Sequence, residues 1–455
     1  MLDESIMRLA CLLGSLFAVS LLPTSAGCSS APIENRAPSA DDSDDDDGPS
    51  ARDTPNPSDE RDEETTNDPS TPGATTIGSA RIVDLGSVTS GKTVTLDVPA
   101  NALGFNVVVE GGAVGIQKMT SPKGLVVHDA FMPKNGSFPT SEAIEGAASA
   151  SVPQNDLSGV VPMSPGKWTI TFGGSGTGKA TARLQTTNDG KFHGGVLDLV
   201  LHVPAGLRMA FPSASHVVDP AKASTDRDIV ARVDRFYVAL KRAYDIDRGK
   251  VSFRPAPAAL VRIGSDDAIT QAASAPKGLP DAQALHIVLT NVLGEGEGDL
   301  LGLSPGIPGA AVGAGSTMSA IMAAHYDDTD VETEALTWLH EMGHFVGLQH
   351  TTELDGSAFD PLSDTPKCTG GTQNAARCPD NGNIMFTGAF PATPAISNGQ
   401  KTVLRGSPIY RAYASDTAKA AAAASATAIP STELTYMRAV PSNVAQRLRC
   451  TRAHR

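Results

Sequence analysis

The chain has 455 residues, with 50 Asp and Glu against 36 Lys and Arg, a formal charge of −14. That length exceeds one ordinary hydrophobic core, so two folded domains with unstructured segments are expected. Most of the negative charge sits in one segment, residues 29–75, where 14 acids face only Arg36, Arg52 and Arg61, and the rest of the chain is nearly neutral. A nearly neutral folded part implies no nucleic-acid partner.

From Leu9 to Leu22 runs an apolar stretch of 14 residues, too short to span a bilayer and suited to the core of a signal peptide. Asp3 and Glu4 fit such a signal badly, whereas a start at Met7 would open it with Arg8. Thr24-Ser25-Ala26-Gly27-Cys28 resembles a bacterial lipobox, with Cys28 as the lipid-bearing residue and Ser25 where Leu is usual. Thr24-Ser25-Ala26 also offers a small-residue cleavage site that would release a soluble protein. The expectation for residues 1–28 is therefore export with a lipid anchor on Cys28 at the cell envelope, secretion being the alternative. That anchor would be the chain's one contact with a membrane. The acidic residues 29–75 read as a self-repelling disordered linker rather than a calcium site.

Residues 76–188 read as a small all-β sandwich. Ala80 to Leu85, Thr93 to Val98, Phe105 to Glu110, Leu125 to His128, Trp168 to Phe172 and Ala180 to Gln185 are short runs, often alternating, bounded by Gly, Pro and Ser. Within them Gly173 to Lys179 matches GxxxxGK. A phosphate loop there would need Ser or Thr next and then a helix. Ala180 follows instead and the pattern continues as a strand, so a glycine hairpin is expected. The task of this domain stays open between adhesion, a covering prosegment and a structural spacer.

From Gly194 the pattern becomes mixed. Val196 to Val203 is an apolar strand, and Asp226 to Tyr244 places Ile229, Val233, Phe236, Leu240 and Tyr244 on one helical face. Ala259 to Ile263 and Leu285 to Leu293 supply further strands, and a Gly/Pro-rich loop from Gly302 to Gly315 leads into Ser319 to Ala324. A helix is expected from Asp330, with Thr329 and Glu332 as its capping box and acidic residues where the dipole favours them.

That helix carries His340-Glu341-Met342-Gly343-His344, and the chain continues to Gly347 and His350. At 3.6 residues per turn His340 and His344 share a face, with Glu341 at its edge. Gly347 lets the chain turn out of the helix and bring His350 back. Three imidazoles with a fourth position left open are the ligand set of a catalytic zinc. Leu336, Leu339, Phe345 and Val346 give the helix enough apolar surface to be buried. The other histidines, His128, His193, His202, His216, His286, His325 and His454, show no ligand spacing.

The string HExxHxxGxxH is the signature of the metzincin clan of zinc endopeptidases, and His340, Glu341, His344, Gly347 and His350 fill its fixed positions. Asn383-Ile384-Met385-Phe386 resembles the clan's Met-turn, with Met385 as a sulfur-bearing floor below the metal. His350-Thr351-Thr352 and Ser363-Asp364-Thr365-Pro366 resemble the pappalysin (cytophagalysin) branch. Several metzincins have Tyr two residues after that Met, where this chain has Thr387. The resemblance covers roughly residues 193 to 410. It implies an α+β fold for residues 193–455: a mixed twisted sheet, an active-site helix, a Met-turn and a helix over Ser397 to Leu404. It also implies a lowest sheet edge that pairs with extended substrate, a role expected of Ser319 to Ala324.

Cys368 and Cys378 flank a polar loop and are expected to form a disulfide in an oxidising compartment, two thiolates on a second zinc being the alternative. Cys450 has no evident partner. With no Cys between Cys28 and the catalytic region, latency through a thiolate on the zinc is not expected. Ala412 to Ile429 reads as an alanine-rich helix, followed by a solvated tail with Arg447, Arg449, Arg452 and Arg455.

The function expected is zinc-dependent hydrolysis of peptide bonds in extracellular or periplasmic proteins. Zn2+ is held by His340, His344 and His350, and its bound water is activated by Glu341. The alternatives are a non-catalytic surface lipoprotein with a ligand-binding β-domain and a structural metal site, and a zinc hydrolase acting on another amide.

Overall fold

The computed structural model describes residues 78, 80–130, 141–144, 146–279, 283–294, 300–311, 317–387 and 393–425. Thr75–Arg455 forms one compact unit. The expected leader, Cys28, the acidic linker and the tail with Cys450 lie outside the described residues.

Nine strands come first: β1 (Arg81–Thr89), β2 (Thr93–Val98), β3 (Ala102–Glu110), β4 (Ala113–Thr120), β5 (Val126–Asp129), β6 (Ser141–Ile144), β7 (Ala147–Val152), β8 (Gly166–Ser175) and β9 (Thr177–Thr186). They form two antiparallel sheets, ordered β1-β9-β3-β7-β6 and β2-β8-β4-β5. Alternation does the sorting: Trp168, Ile170 and Phe172 of β8 point the same way and meet Phe105, Val107, Ala182 and Leu184 in one apolar cluster. The indole of Trp168 stands edge-on to Phe105, and its N–H donates to the Ser164 carbonyl at 2.8 Å.

Three of these strands gave no sequence signal. Ala147–Val152 is made of small residues and is buried throughout, because β3 and β7 are covered on both faces. The expected hairpin at Gly173 to Lys179 is corrected. Its two strands, β8 and β9, lie in opposite sheets, and positive φ at Gly174 and Gly176 turns the chain from one to the other. Ala180 is buried in β9, so no helix stands there to receive a phosphate.

The second half contains β10 (Gly195–Pro204), α1 (Arg227–Tyr244), β11 (Ile246–Ala256), β12 (Ala284–Thr290), β13 (Gly302–Leu303), β14 (Ile321–Ala324), α2 (Val331–Val346), α3 (Asn398–Gly406) and β15 (Arg411–Ala412). The sheet order is β11-β10-β12-β14-β13, with β15 on the start of β10. The pairs from β11 to β14 are parallel, and β13 runs antiparallel on β14. This is a mixed α+β architecture, as expected. The strand taken as the edge, Ser319 to Ala324, is interior, and the two-residue β13 lies outside it. A strand that short inside a Gly/Pro-rich loop has no periodicity to read. Likewise β11 is polar and borders the sheet, so its sequence does not alternate cleanly.

Other boundaries moved by a few residues. Ala259 to Ile263 is mostly a 3-10 turn, with only Arg262–Ile263 extended. Leu285 to Leu293 breaks at Asn291, whose side chain bonds the Arg208 backbone in both directions. The helix expected over Ala412 to Ile429 starts at Asp416, because Arg411–Ala412 joins the sheet. α2 is capped one residue later than expected. The Asp330 carboxylate, rather than Thr329, accepts from the Thr333 N–H at 2.9 Å and from its hydroxyl at 3.0 Å.

α1 and α2 pack together under the sheet, with Phe236 against Trp338. Their interface contains a buried ion pair between Arg232 and Glu334. His325 Nδ1–H donates to Glu334 at 2.6 Å while its Nε2 accepts from the Ala210 N–H at 2.9 Å. The Arg232 guanidinium also donates to the carbonyls of Ala210, Phe211 and Asp228. Every charge is matched, which is the condition for tolerating it in the core. Arg232→Met, which strands Glu334, should cost about 3–5 kcal/mol of stability. The double variant Arg232→Met, Glu334→Leu should recover much of the loss, as read from thermal unfolding midpoints.

Candidate metal centre

α2 is buried on all sides from Glu334 to Val346, so it presents its polar side chains to the interior. His340 and His344 lie one turn apart with ring centroids at 4.6 Å. Gly347 ends the helix with φ 113°, and the next backbone N–H, of Leu348, donates back to the Gly343 carbonyl at 2.9 Å. That turn brings the His350 ring to 4.6 Å from His344 and 5.3 Å from His340. All three histidines are buried, and one ring nitrogen of each lies within 4.8 Å of the others.

The outward nitrogen of every ring faces an acceptor. His340 Nδ1 lies 2.6 Å from the Ile384 carbonyl, His344 Nδ1 2.8 Å from the Leu348 carbonyl, and His350 Nδ1 3.1 Å from the Glu353 carboxylate. An acceptor requires a proton on each Nδ1, so in the neutral rings each Nε2 is a bare lone pair. Yet the Nε2 atoms of His344 and His350 are 3.1 Å apart. Two lone pairs at that distance repel unless a cation lies between them. Burial, with His350 as the second cause, pushes the His340 pKa down to about 3, so that ring stays neutral beside them. Three neutral imidazole nitrogens, each oriented through its other nitrogen, are the donor set of zinc. Among the described residues the group has three members.

Glu341 is buried beside this group. Its carboxylate lies against the backbone of Gly302 in β13, where an added Cβ would stand 2.6 Å from Oε1. The sheet edge and the carboxylate therefore meet directly, and only glycine leaves the room. On the other side of the helix, a Cβ on Gly343 would stand 2.5 Å from the Met385 sulfur. Met385 belongs to a tight turn in which the Phe386 N–H donates to the Asn383 carbonyl at 3.1 Å. The Asn383 amide bonds the side chain of Gln400, in the capping box of α3. The turn thus touches the candidate centre through the Ile384 carbonyl and the helix that carries it through the Met385 sulfur. Thr387 is buried and its hydroxyl lies 3.4 Å from that of Thr372, inside the neighbouring loop.

Cys368 and Cys378 form the expected disulfide, with Cα atoms 5.1 Å apart. Their sulfurs are joined, which excludes two thiolates on a second zinc. The Thr352 hydroxyl accepts from the Cys368 N–H at 3.0 Å and donates to Asp380 at 2.6 Å. Thr351 donates to the same Asp380 oxygen at 2.7 Å, and its N–H to the Met385 carbonyl at 3.0 Å. The disulfide loop so pins the two residues after His350.

Of the other histidines the fold pairs two: His202 Nε2 and His286 Nδ1 lie 3.0 Å apart on neighbouring strands, their pKa values pushed down by burial to about 3 and about 4. They stand apart from the three-histidine group. Glu353 could have been noticed as an acid three residues after His350, whereas Gly302 and the Ile384 carbonyl carry no signal in the sequence.

With this geometry in place, comparison with known proteins finds one family. The peptidase M43 family model, described as pregnancy-associated plasma protein-A, matches residues 313–390, the segment that holds the three histidines, Glu341, both cysteines and Met385. Peptidases of this type use zinc, and the His340, His344 and His350 group could hold it. Among curated proteins nothing matches. Among solved structures the chain is similar to archaemetzincin from Methanopyrus kandleri, at 17% identity over 50% of this chain and 96% of that one, with a TM-score of 0.24. So loose a superposition supports no argument.

Glu353→Ala should weaken zinc binding roughly 10- to 100-fold, the usual cost of losing a carboxylate behind a ligand histidine, as measured by competition with a chromogenic chelator. A second test concerns Asp360, in the loop after His350. Burial raises its pKa to about 7, against the Thr365 hydroxyl hydrogen bond that lowers it. The folded state therefore keeps a proton that the unfolded chain releases near about 4, and stability falls as pH rises from there towards 7. Asp360→Asn should raise the melting temperature at pH 8 and lose that advantage by about pH 4.

Proposed function

We propose that the chain is a zinc-dependent endopeptidase of metzincin type. The observation that carries this is the set of three Nε2 lone pairs, each fixed by an acceptor behind it, with Glu341 at the rim and a sheet edge against that carboxylate. The family match over residues 313–390 supports the same reading. Among the described residues the group has three protein ligands rather than four, which favours an open and catalytic position over a closed structural one.

When bound, zinc supplies a Lewis acid that lowers the pKa of a coordinated water to about 7. A Glu341 carboxylate oxygen takes the proton from the attacking water and returns it to the departing amine. The burial of Glu341 keeps bulk water from competing for that proton. His340, His344 and His350 each donate Nδ1–H to a protein acceptor, which turns Nε2 toward the centre. The outer side of β13 carries no strand among the described residues, and a peptide added there would run past Glu341 with its backbone aligned by the ladder. That geometry favours an extended polypeptide over a compact amide. In this proposal the substrates are extracellular or periplasmic proteins, met by an exported enzyme tethered through Cys28.

Glu341→Gln should retain stoichiometric zinc by atomic absorption while cleavage of reduced, unfolded casein falls by about 100- to 10,000-fold, the range for loss of a general acid-base group. Undiminished cleavage would remove Glu341 from the mechanism.

A further inference from the structure

Asn106 is an amide in the middle of β3 with no exposed surface. A buried amide is tolerated only when its hydrogen bonds are made, and those of Asn106 run to two parts of the chain. Nδ2 donates to the hydroxyls of Ser149 and Ser151, each at 2.9 Å, and reaches the carbonyls of Ala150 and Gly309 at 3.4 Å. Oδ1 accepts from the Ala311 N–H at 3.2 Å, and Ser149 itself donates to the Gly309 carbonyl at 2.8 Å. Around this knot Val108 and Ala147 of the two-sheet layer close on Ala310 and Met318.

The opposite side of Gly309 meets the metal-site helix. Its N–H donates to the Phe345 carbonyl at 2.9 Å, and a Cβ there would stand 2.3 Å from the Phe345 ring. The segment is thus one backbone thick between β3 and α2. Only a few residues earlier it is β13, whose Gly302 faces Glu341.

Two more contacts join the same bodies. A Cβ on Gly347 would stand 2.3 Å from the Gln154 amide, and one on Gly104 would stand 2.4 Å from the Gly406 carbonyl. Backbone against backbone is the packing of one interior. Thr75–Arg455 is likewise one compact unit.

We propose that the two-sheet layer is a permanent wall of the peptidase rather than a detachable propiece or an independent adhesion module. Asn106 and Ser149 are its positioning residues, setting through Gly309 the spacing between β13 and Glu341. The part concerning substrate rests on the peptidase reading; the part concerning the wall does not.

The test uses the full chain, with a site-specific protease sequence inserted between the exposed residues Asn188 and Asp189. After cutting, the two pieces should co-elute in native buffer and keep the zinc affinity of the uncut protein. In the uncut chain Asn106→Ala should raise KM for a long peptide substrate, with kcat/KM down by about 100-fold, the scale of a small misplacement at a reacting centre. Zinc affinity should hold. Should Asn106→Ala not fold, Ser149→Ala removes only the bonds made by that hydroxyl and should raise KM in the same direction. Pieces that part in native buffer, with the metal-site piece keeping its zinc affinity and activity, would overturn the proposal, as would an unchanged KM in both variants. If the intact protein cleaves no peptide, the peptidase reading fails, and co-elution with zinc affinity still decides the wall.

Discussion

Three imidazole lone pairs aimed at one another inside a buried interior are the constraint on which the rest of this structure depends. The arrangement is unfavourable without a cation, and the protein maintains it by fixing the far side of each ring. The three acceptors come from three places: the turn before Met385, the backbone after Gly347 and the carboxylate of Glu353. No local segment could supply all three. The disulfide loop bonds Thr352, the neighbour of Glu353, and the capping box of α3 bonds Asn383, the neighbour of Ile384.

The same constraint explains where the glycines fall. Around α2, Gly302, Gly309, Gly343 and Gly347 each admit a side chain that a Cβ would displace: Glu341, Phe345, Met385 and Gln154 respectively. Two are on the helix or its cap and two are on strands or loops that face it. Neighbouring elements therefore approach the helix at backbone distance on several sides. The ligands are held by packing of interior density, in which small displacements are costly. Burial of Arg232 and Glu334 between α1 and α2 belongs to the same economy, since a helix buried all round must match its charged residues inside the protein.

Much of this was legible from residue order. Gly347 predicts the turn and His350 its destination, because helical period and left-handed backbone are local properties. The disulfide and the buried character of α2 follow from short spacing and composition. What failed did so for non-local reasons. The Gly173 to Lys179 turn looks like a hairpin because a glycine turn between strands reads the same whether it stays in one sheet or crosses to another. Ser319 to Ala324 looks like an edge because the strand outside it is two residues long.

By itself, then, the sequence determined which side chains could bind a metal, that two of them share a helical face and that the third is brought back by a glycine. These depend on dihedral preferences within about ten residues. Tertiary structure alone decided that the His340 ring has its proton drawn outward by the Ile384 carbonyl, that β13 rather than β14 borders the carboxylate, and that an amide from the first half of the chain braces the loop between them. Those facts rest on contacts between residues as many as 205 apart, where pairing is chosen by mutual burial and leaves no period in the sequence.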